Sequence, residues 1–356
     1  MTAVSFPSRS AILSVAVAAL SSVSWLVMAA AAQAVPQPAP TTAPATAPSS
    51  ALASTLPAVD SSLVTVAVPH VLIVSIDGLR PDCLLRADAP TLRSLMARGS
   101  FTLWARTTDV AVTTPSHVSM LTGVTPERHG ITFNADPPED ARILVPTLFD
   151  LAHRAGLSTA MASGKRKFSL ITRGGSVDHA KLPAESAVSD APVAGWAEQI
   201  IHEHQPRVML VHFAGADNVG HGKGWGTPQQ LEVIGSIDRE LAKVLRAYET
   251  AGLAESTYII ISADHGGSMR NHGRDDVRSR YIPWILVGPG VREDYDLTRL
   301  GKDYEVATYD TFATAAYLLG LRIPPDSDGK PILPAFSEYD LMSDVPAATT
   351  KPTTRP

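Results

Sequence analysis

The stretch HVLIVSID, residues 70–77, constrains the fold more than any other part of the chain. Its apolar residues run on without the in-out alternation of a strand that has one wet face. That pattern describes a strand buried on both faces, which calls for a sheet covered by helices on both sides. RVMLVHF (207–213), STYIIISADHG (256–266) and YIPWILVGPG (281–290) have the same character, and LSTAMASG (157–164) is a shorter example. Between them stand segments with apolar residues at helical spacing: APTLRSLMARG (89–99), TLFDLAHRAG (147–156), PVAGWAEQIIHEHQ (192–205), PQQLEVIGSIDRELAKVLRAYETAG (228–252) and YDTFATAAYLLG (309–320). Strands alternating with helices predict an α/β fold, a three-layer αβα sandwich with a mostly parallel central sheet. In such sheets ligands gather at the carboxyl ends of the strands.

The two ends of the 356-residue chain lack this pattern. Arg9 precedes an apolar run from Ala11 to Ala32, closed by Ala32-Gln33-Ala34. That is the form of a secretory signal peptide over residues 1–34, cleaved after Ala34. An uncleaved anchor is the alternative, since the run approaches the length of a membrane span. Residues 35–66 are rich in Ala, Pro, Thr and Ser and short of core-forming side chains, so they are expected to be a disordered linker. Residues 343–356 have the same composition, which leaves 67–342 for the folded domain. The expected location is outside the cytoplasm, periplasmic or secreted, with no stable membrane insertion once the signal is removed. A net charge of -5 argues against a broad basic face for a nucleic acid duplex and leaves a small phosphate ester open as ligand. The single cysteine, Cys83, excludes a disulfide framework or a thiolate metal cluster within one chain and is expected in the core or a loop. Nothing in the sequence sets the oligomeric state.

The polar residues that interrupt the apolar runs fall at strand ends. Asp77 ends the first; Asp217 and His221 follow RVMLVHF; Asp264 and His265 close STYIIISADHG, with His272 soon after. One such Asp is commonplace, because Asp readily turns the backbone. Three strand-end carboxylates accompanied by three imidazoles suit two adjacent divalent cations, zinc first, manganese or iron as alternatives. Two neighbouring cations clamp the attacking and leaving oxygens of a displacement at phosphorus, and a hydroxyl beside them becomes a usable nucleophile at neutral pH.

The motifs SIDGLRPD, TTPSHVSMLTGVTPERHGITFN, FAGADNVGHGKG and ADHGGSMRNHG resemble, in this order, those of the alkaline phosphatase superfamily. The similarity runs from about His70 to Leu321 and is greatest to the nucleotide pyrophosphatase/phosphodiesterase branch. The resemblance implies an alkaline phosphatase-like sandwich. It implies that Asp77, Asp264 and His265 bind one metal, and that Asp217, His221 and His272 bind the other. It places the nucleophile two residues before the motif's proline, at Thr113, which would also touch the metal. It gives Asn134 a side-chain amide contact to a non-bridging phosphoryl oxygen, where a fixed donor helps as charge develops.

Local chemistry separates Thr113 from Thr114 in the same sense. Pro115 suits the first helical position, which would put Thr114 at the N-cap and leave Thr113 free to face the metals. Two departures from the branch pattern stand out. His272 follows His265 after only six residues, without the branch's usual insert, and Ser116 replaces the Asn that often follows the proline. His117 and His129 are expected to pack or to support the ligands; His153, His179, His202 and His204 are expected at the surface. GKRKF (164–168) is expected to be a solvated basic turn rather than a lining of the cleft. The expected activity is phosphodiester or nucleotide pyrophosphate hydrolysis on a small nucleotide or aryl ester, through a phosphothreonine. Phosphomonoester hydrolysis is the alternative. A non-catalytic module that captures phosphorylated ligands is the rival from outside the enzymes. Phosphonate cleavage and phospho-group transfer to an acceptor rank below these, and sulfate ester hydrolysis lower still, because Thr113 cannot become the formylglycine that a Cys or Ser there would supply.

Overall fold

The computed structural model describes residues 68–301 and 303–341; the expected signal peptide, linker and tail lie outside them. Eight strands form one sheet: β1 (His70–Ile76), β2 (Ser100–Arg106), β3 (Thr159–Ser163), β4 (His179–Lys181), β5 (Val208–Phe213), β6 (Thr257–Ser262), β7 (Tyr281–Val287) and β8 (Tyr295–Asp296). Their order is β4-β3-β5-β1-β6-β7-β2-β8. All neighbours are parallel except the two pairs made by β7. The stretch YIPWILV thus enters the sheet as its one reversed strand.

All seven residues of β1 are buried, as its unbroken apolar run predicts. It runs between β5 and β6, with Ile76 opposite Phe213 and Ser75 opposite Ser262, so these three strands end level with one another. The helices are α1 (Pro81–Arg86), α2 (Pro90–Ala97), α3 (Thr113–Thr122), α4 (Pro126–His129), α5 (Leu148–Arg154), α6 (Ser169–Thr172), α7 (Asp190–His204), α8 (Gly215–Lys223), α9 (Pro228–Thr250), α10 (Val277–Arg280) and α11 (Thr308–Leu318). One group gathers around α9, with α1, α2, α7 and α8 against it; α3, α5 and α11 form the other. With sheet between two helical layers, the αβα expectation holds. Cys83 is buried in the core, where desolvation pushes its thiol up to about 11 and leaves it unreactive.

Asp190, at the start of α7, ties the helical layer to the end of β5. Its Oδ1 accepts from the amides of Ala214 and Gly215 at 2.9 and 3.0 Å, just where α8 begins. Those two donors favour the anion, but burial outweighs them and pushes the carboxyl up to about 6. A folded-state value above the unfolded one, near 4, means the native state holds the proton more tightly. The stability this confers is complete below pH 4 and is lost as pH rises through 6. The unfolding free-energy difference between wild type and Asp190→Asn is therefore expected to shrink by roughly 3 kcal/mol from pH 4 to pH 7.5. Denaturant titrations of both proteins at the two pH values measure it, and a constant difference would contradict the account.

Candidate metal centre

The loop after β1 carries Asp77 and then Gly78, whose φ is +74°. A Cβ at Gly78 would lie 3.0 Å from the Asp217 Cα, so glycine is what lets this loop press against α8. The Gly78 amide donates to Asp264 Oδ1 at 3.1 Å. Asp217 stands in the first turn of α8, and His221, four residues on, shares its helix face. Asp264 and His265 follow β6, and His272 comes from the loop before α10. Level strand ends thus bring three carboxylates from three separate strands to one place, as Brändén-type crevices at strand termini require.

Asp77, Asp217 and His265 are buried and their ligand atoms lie within 4.8 Å of one another; Asp217, His221 and His272 form a second group to the same limit. Asp217 Oδ1 lies between the groups, 4.0 Å from His265 Nε2, 3.4 Å from His221 Nε2 and 3.7 Å from His272 Nε2. Asp264 Oδ2 joins the first group at 3.2 Å from His265 Nε2. Asp77 Oδ1, Asp217 Oδ1 and Asp264 Oδ2 are buried and make no hydrogen bond. Orphaned carboxylate oxygens are costly, and three converging on one point fit a cation.

The histidines tell the same story through their other nitrogens. Nδ1 of His265, His272 and His221 meets the carbonyl of Gly266, Ala111 and Arg270 at 2.8, 2.9 and 3.0 Å. A carbonyl only accepts, so each Nδ1 is protonated and each ring turns its Nε2 into the centre; burial keeps His265 and His272 neutral there, while Asp217 draws the His221 pKa up. Nε2 of His221 and of His272 face each other at 3.2 Å, an arrangement that calls for a proton or metal ion between them. Ala111 supplies its carbonyl from a left-handed conformation, φ 45°, unusual for a residue with a Cβ and thus a strained turn placed just before α3. Trp225 backs this side of the centre, edge-on to His221 at 5.2 Å and donating from its indole to the Gly78 carbonyl at 2.9 Å.

Thr113 is buried at the first position of α3, its hydroxyl 3.4 Å from His265 Nε2. Because that nitrogen presents a lone pair, the hydroxyl donates to it. The capping expectation is corrected here. The N-cap is Val112, Thr114 is the second helical residue and Pro115 the third. Pro is tolerated there because the first four helical amides have no partner within the helix in any case. The cap comes from afar: Asn134 Oδ1 accepts from the Thr114 amide at 2.9 Å and from its hydroxyl at 3.2 Å. With Lys167 Nζ also donating to Oδ1 at 3.0 Å, the Asn134 amide is oriented with its NH2 as the end left to donate.

The basic turn was misjudged by sequence reasoning. Only Arg166 is solvated, pairing with Asp136. Lys165 is buried, with Nζ 2.6 Å from both Asp77 Oδ2 and Asp217 Oδ2. The turn follows β3, which ends in the same row as β5 and β1, so its first side chain points into the acidic centre. His212 was missed altogether. It is buried, with Nε2 3.0 Å from Asp77 Oδ2 and Nδ1 3.0 Å from the Ser163 hydroxyl. The available signal was a histidine inside a strand otherwise wholly apolar, since a buried polar ring must have partners. His117 sits behind the centre as expected, between the Thr113 carbonyl at 2.8 Å and Ser75 Oγ at 2.7 Å, and 3.4 Å from Asp264 Oδ2. His129 packs among Ser119, Pro115 and Ile131, away from the ligands. Ser116, at the position of the branch's Asn, binds the hydroxyls of Thr107 and Thr108 inside the fold.

Burial would raise every carboxyl in the centre, and neighbours decide which yields. Lys165 and His212 hold Asp77 well below the usual range despite that burial. Asp217 falls to about 2, burial and Asp77 being outweighed by His221 and Lys165. Burial and the charge of Asp77 push Asp264 well up.

The profile of the type I phosphodiesterase/nucleotide pyrophosphatase family matches residues 71–275, more than half of the chain. Human ectonucleotide pyrophosphatase/phosphodiesterase family member 5 is 26% identical over 211 residues, which cover 55% of this chain and 44% of that protein. Bovine bis(5'-adenosyl)-triphosphatase is 22% identical over 214 residues, covering 56% and 47%. The chain thus spans about half the length of the curated relatives it matches. The solved structure of murine ectonucleotide pyrophosphatase/phosphodiesterase 5, an inactive form in complex with AMP, shares the fold with a TM-score of 0.62 at 15% identity, covering 72% of this chain and 96% of that one. By its motifs, its fold and its family profile, the chain belongs to the type I phosphodiesterase/nucleotide pyrophosphatase family of the alkaline phosphatase superfamily.

Proposed function

We propose that this chain is an exported, metal-dependent phosphoric ester hydrolase that cleaves small phosphodiesters or nucleotide pyrophosphates through Thr113. The observation that carries the reading is the convergence of three unpartnered carboxylate oxygens and three histidine Nε2 atoms beside the Thr113 hydroxyl. Asp77, Asp264 and His265 would hold one divalent cation next to Thr113, and Asp217, His221 and His272 the other. Hard carboxylates mixed with imidazoles make zinc the first choice. When bound, the two cations supply Lewis acidity to the entering and leaving oxygens of the displacement.

Thr113 Oγ1 attacks phosphorus in line, forming a P–O bond as the ester oxygen opposite departs; the hydroxyl proton passes to solvent. Water then breaks the phosphothreonine and restores the hydroxyl. Asn134, clamped by Thr114 and Lys167, donates its NH2 to a non-bridging oxygen. The start of α3 beside the phosphoryl group adds a favourable field for an anion. The AMP complex of the murine relative and the name of the bovine one favour a nucleotide as substrate. Phosphomonoester hydrolysis is the second reading. Lys167, 3.0 Å from Asn134 Oδ1, brings a further positive charge towards the phosphoryl pocket, which suits a dianion.

The test is metal content with turnover on a bis-aryl and a mono-aryl phosphate, on protein recovered from the secreted or periplasmic fraction and starting at Val35. About two divalent ions per chain, with the diester cleaved faster, is the expected result. Faster cleavage of the monoester would favour the second reading. Two ions with no turnover of either ester would point to a module that only captures phosphorylated ligands, and a metal-free preparation would remove the basis of the centre. Among the described residues no helix is long and apolar enough to cross a membrane.

A further inference from the structure

Lys165 has no part in the proposed displacement, yet its ammonium group is buried within the acidic centre. Its side chain is 8% exposed, and Nζ lies 2.6 Å from Asp77 Oδ2 and 2.6 Å from Asp217 Oδ2. Those carboxylates come from different strand ends, β1 and β5; Asp77 belongs to one group of candidate ligands and Asp217 is shared by both. In both, the oxygen that Lys165 binds is Oδ2 and the oxygen without any partner is Oδ1. The remaining hydrogen bond to Asp77 Oδ2 comes from His212. The chain around Lys165 is fixed by its own amide, which donates to Ser163 Oγ at 3.3 Å, and by a short antiparallel bridge to Ala187. A flexible lysine stem is thus held where its charge meets two carboxylates at once.

We propose that Lys165 is the resident cation of this centre, occupying a third cation position beside those of the two metals. It neutralises Asp77 and Asp217 from behind and thereby assigns Oδ1 of each to the metals. Two buried carboxylates this close repel each other when no cation separates them, and a buried charge with its partner removed is strongly destabilising. Lys165 keeps the metal-free chain folded with both carboxylates turned forward. It also fills the space behind them, so divalent ions enter only on the Oδ1 side. The inference rests on the metal reading for what lies on that side, while the ion pairs themselves are independent of it.

The decisive comparison is the metal-free protein. Methionine keeps the length and apolar stem of Lys165 without its charge. Chelator-dialysed Lys165→Met is expected to unfold at least about 6 °C below chelator-dialysed wild type. Adding zinc should narrow the gap, since metal charge then meets the same carboxylates. Lys165→Met combined with Asp77→Asn removes one negative charge with the positive one and should regain most of the lost stability. That double variant also decides the matter if Lys165→Met alone does not fold. A metal-free Lys165→Met as stable as wild type would overturn the proposal, because a packing role is met by methionine. So would a double variant no more stable than the single one. If wild type binds no zinc while the double variant still rescues, the metal reading fails and the lysine's role as resident cation stands.

Discussion

Thr113→Ala is expected to bind the same metals as wild type and to lose at least about a thousandfold in kcat on a diester. The argument begins with position. Thr113 is the first residue of α3 and is buried, and its hydroxyl meets the lone pair of His265 rather than a helix amide. Its loss therefore costs the fold little, while the group proposed to form the bond to phosphorus is gone. Thr113→Ser keeps that oxygen and should stay within about tenfold of wild type. Thr114→Ala is the informative control. The Thr114 hydroxyl donates only to Asn134, whose oxygen keeps the Thr114 amide and Lys167 as donors, so the expected loss is several-fold at most. Steady-state rates and metal content measured on the same preparations decide between them. Full turnover by Thr113→Ala with both metals in place would mean that water, and not the threonine, attacks phosphorus.

The sequence was most legible where burial and chemistry coincide. HVLIVSID could only be an inner strand, and a carboxylate at the end of an inner strand is conspicuous, so the sequence singles out Asp77, Asp217 and Asp264 with their histidines, which the fold brings to one place. The strand β2 escaped notice because SFTLWAR mixes polar and apolar residues and carries an irregularity between Thr102 and Ala105. It lies next to the reversed strand β7, where neither a continuous run nor a clean alternation is required. The helix cap was misplaced because Asn134, twenty residues away, supplies what a local reading assigned to Thr114. Lys165 was misread for a related reason. Composition makes GKRKF a surface turn, and only the three-dimensional meeting of β3, β5 and β1 sets its first lysine between two acids. Long-range pairing overrides local tendency in each case, and each case lies at the centre or beside it.

Stripping the metals is expected to abolish turnover, lower the unfolding temperature and leave a chain that still folds. Restoring zinc at a thousandfold above its Kd should return about 4 kcal/mol, or roughly 8 °C. The reason is electrostatic. Without metals, Lys165 and His212 pull Asp77 well below the usual carboxylate range, but burial and the neighbouring charge push Asp264 well up, so it holds a proton more tightly than a free carboxyl does. A cation competes with protons for that carboxyl, and the lone pairs of His265 and His272, which burial keeps neutral, then gain a partner. Zinc binding should accordingly release protons and tighten as pH rises, which calorimetry in buffers of different ionisation enthalpy measures directly. His272→Ala should hold about one ion instead of two, because His221 and Asp217 alone leave the more open group short of a ligand. Recovery of stability without recovery of turnover would place the metals in a structural role and return the nucleophile to question. Recovery of both, with protons released on binding, would tie the fold and the chemistry to the same three oxygens.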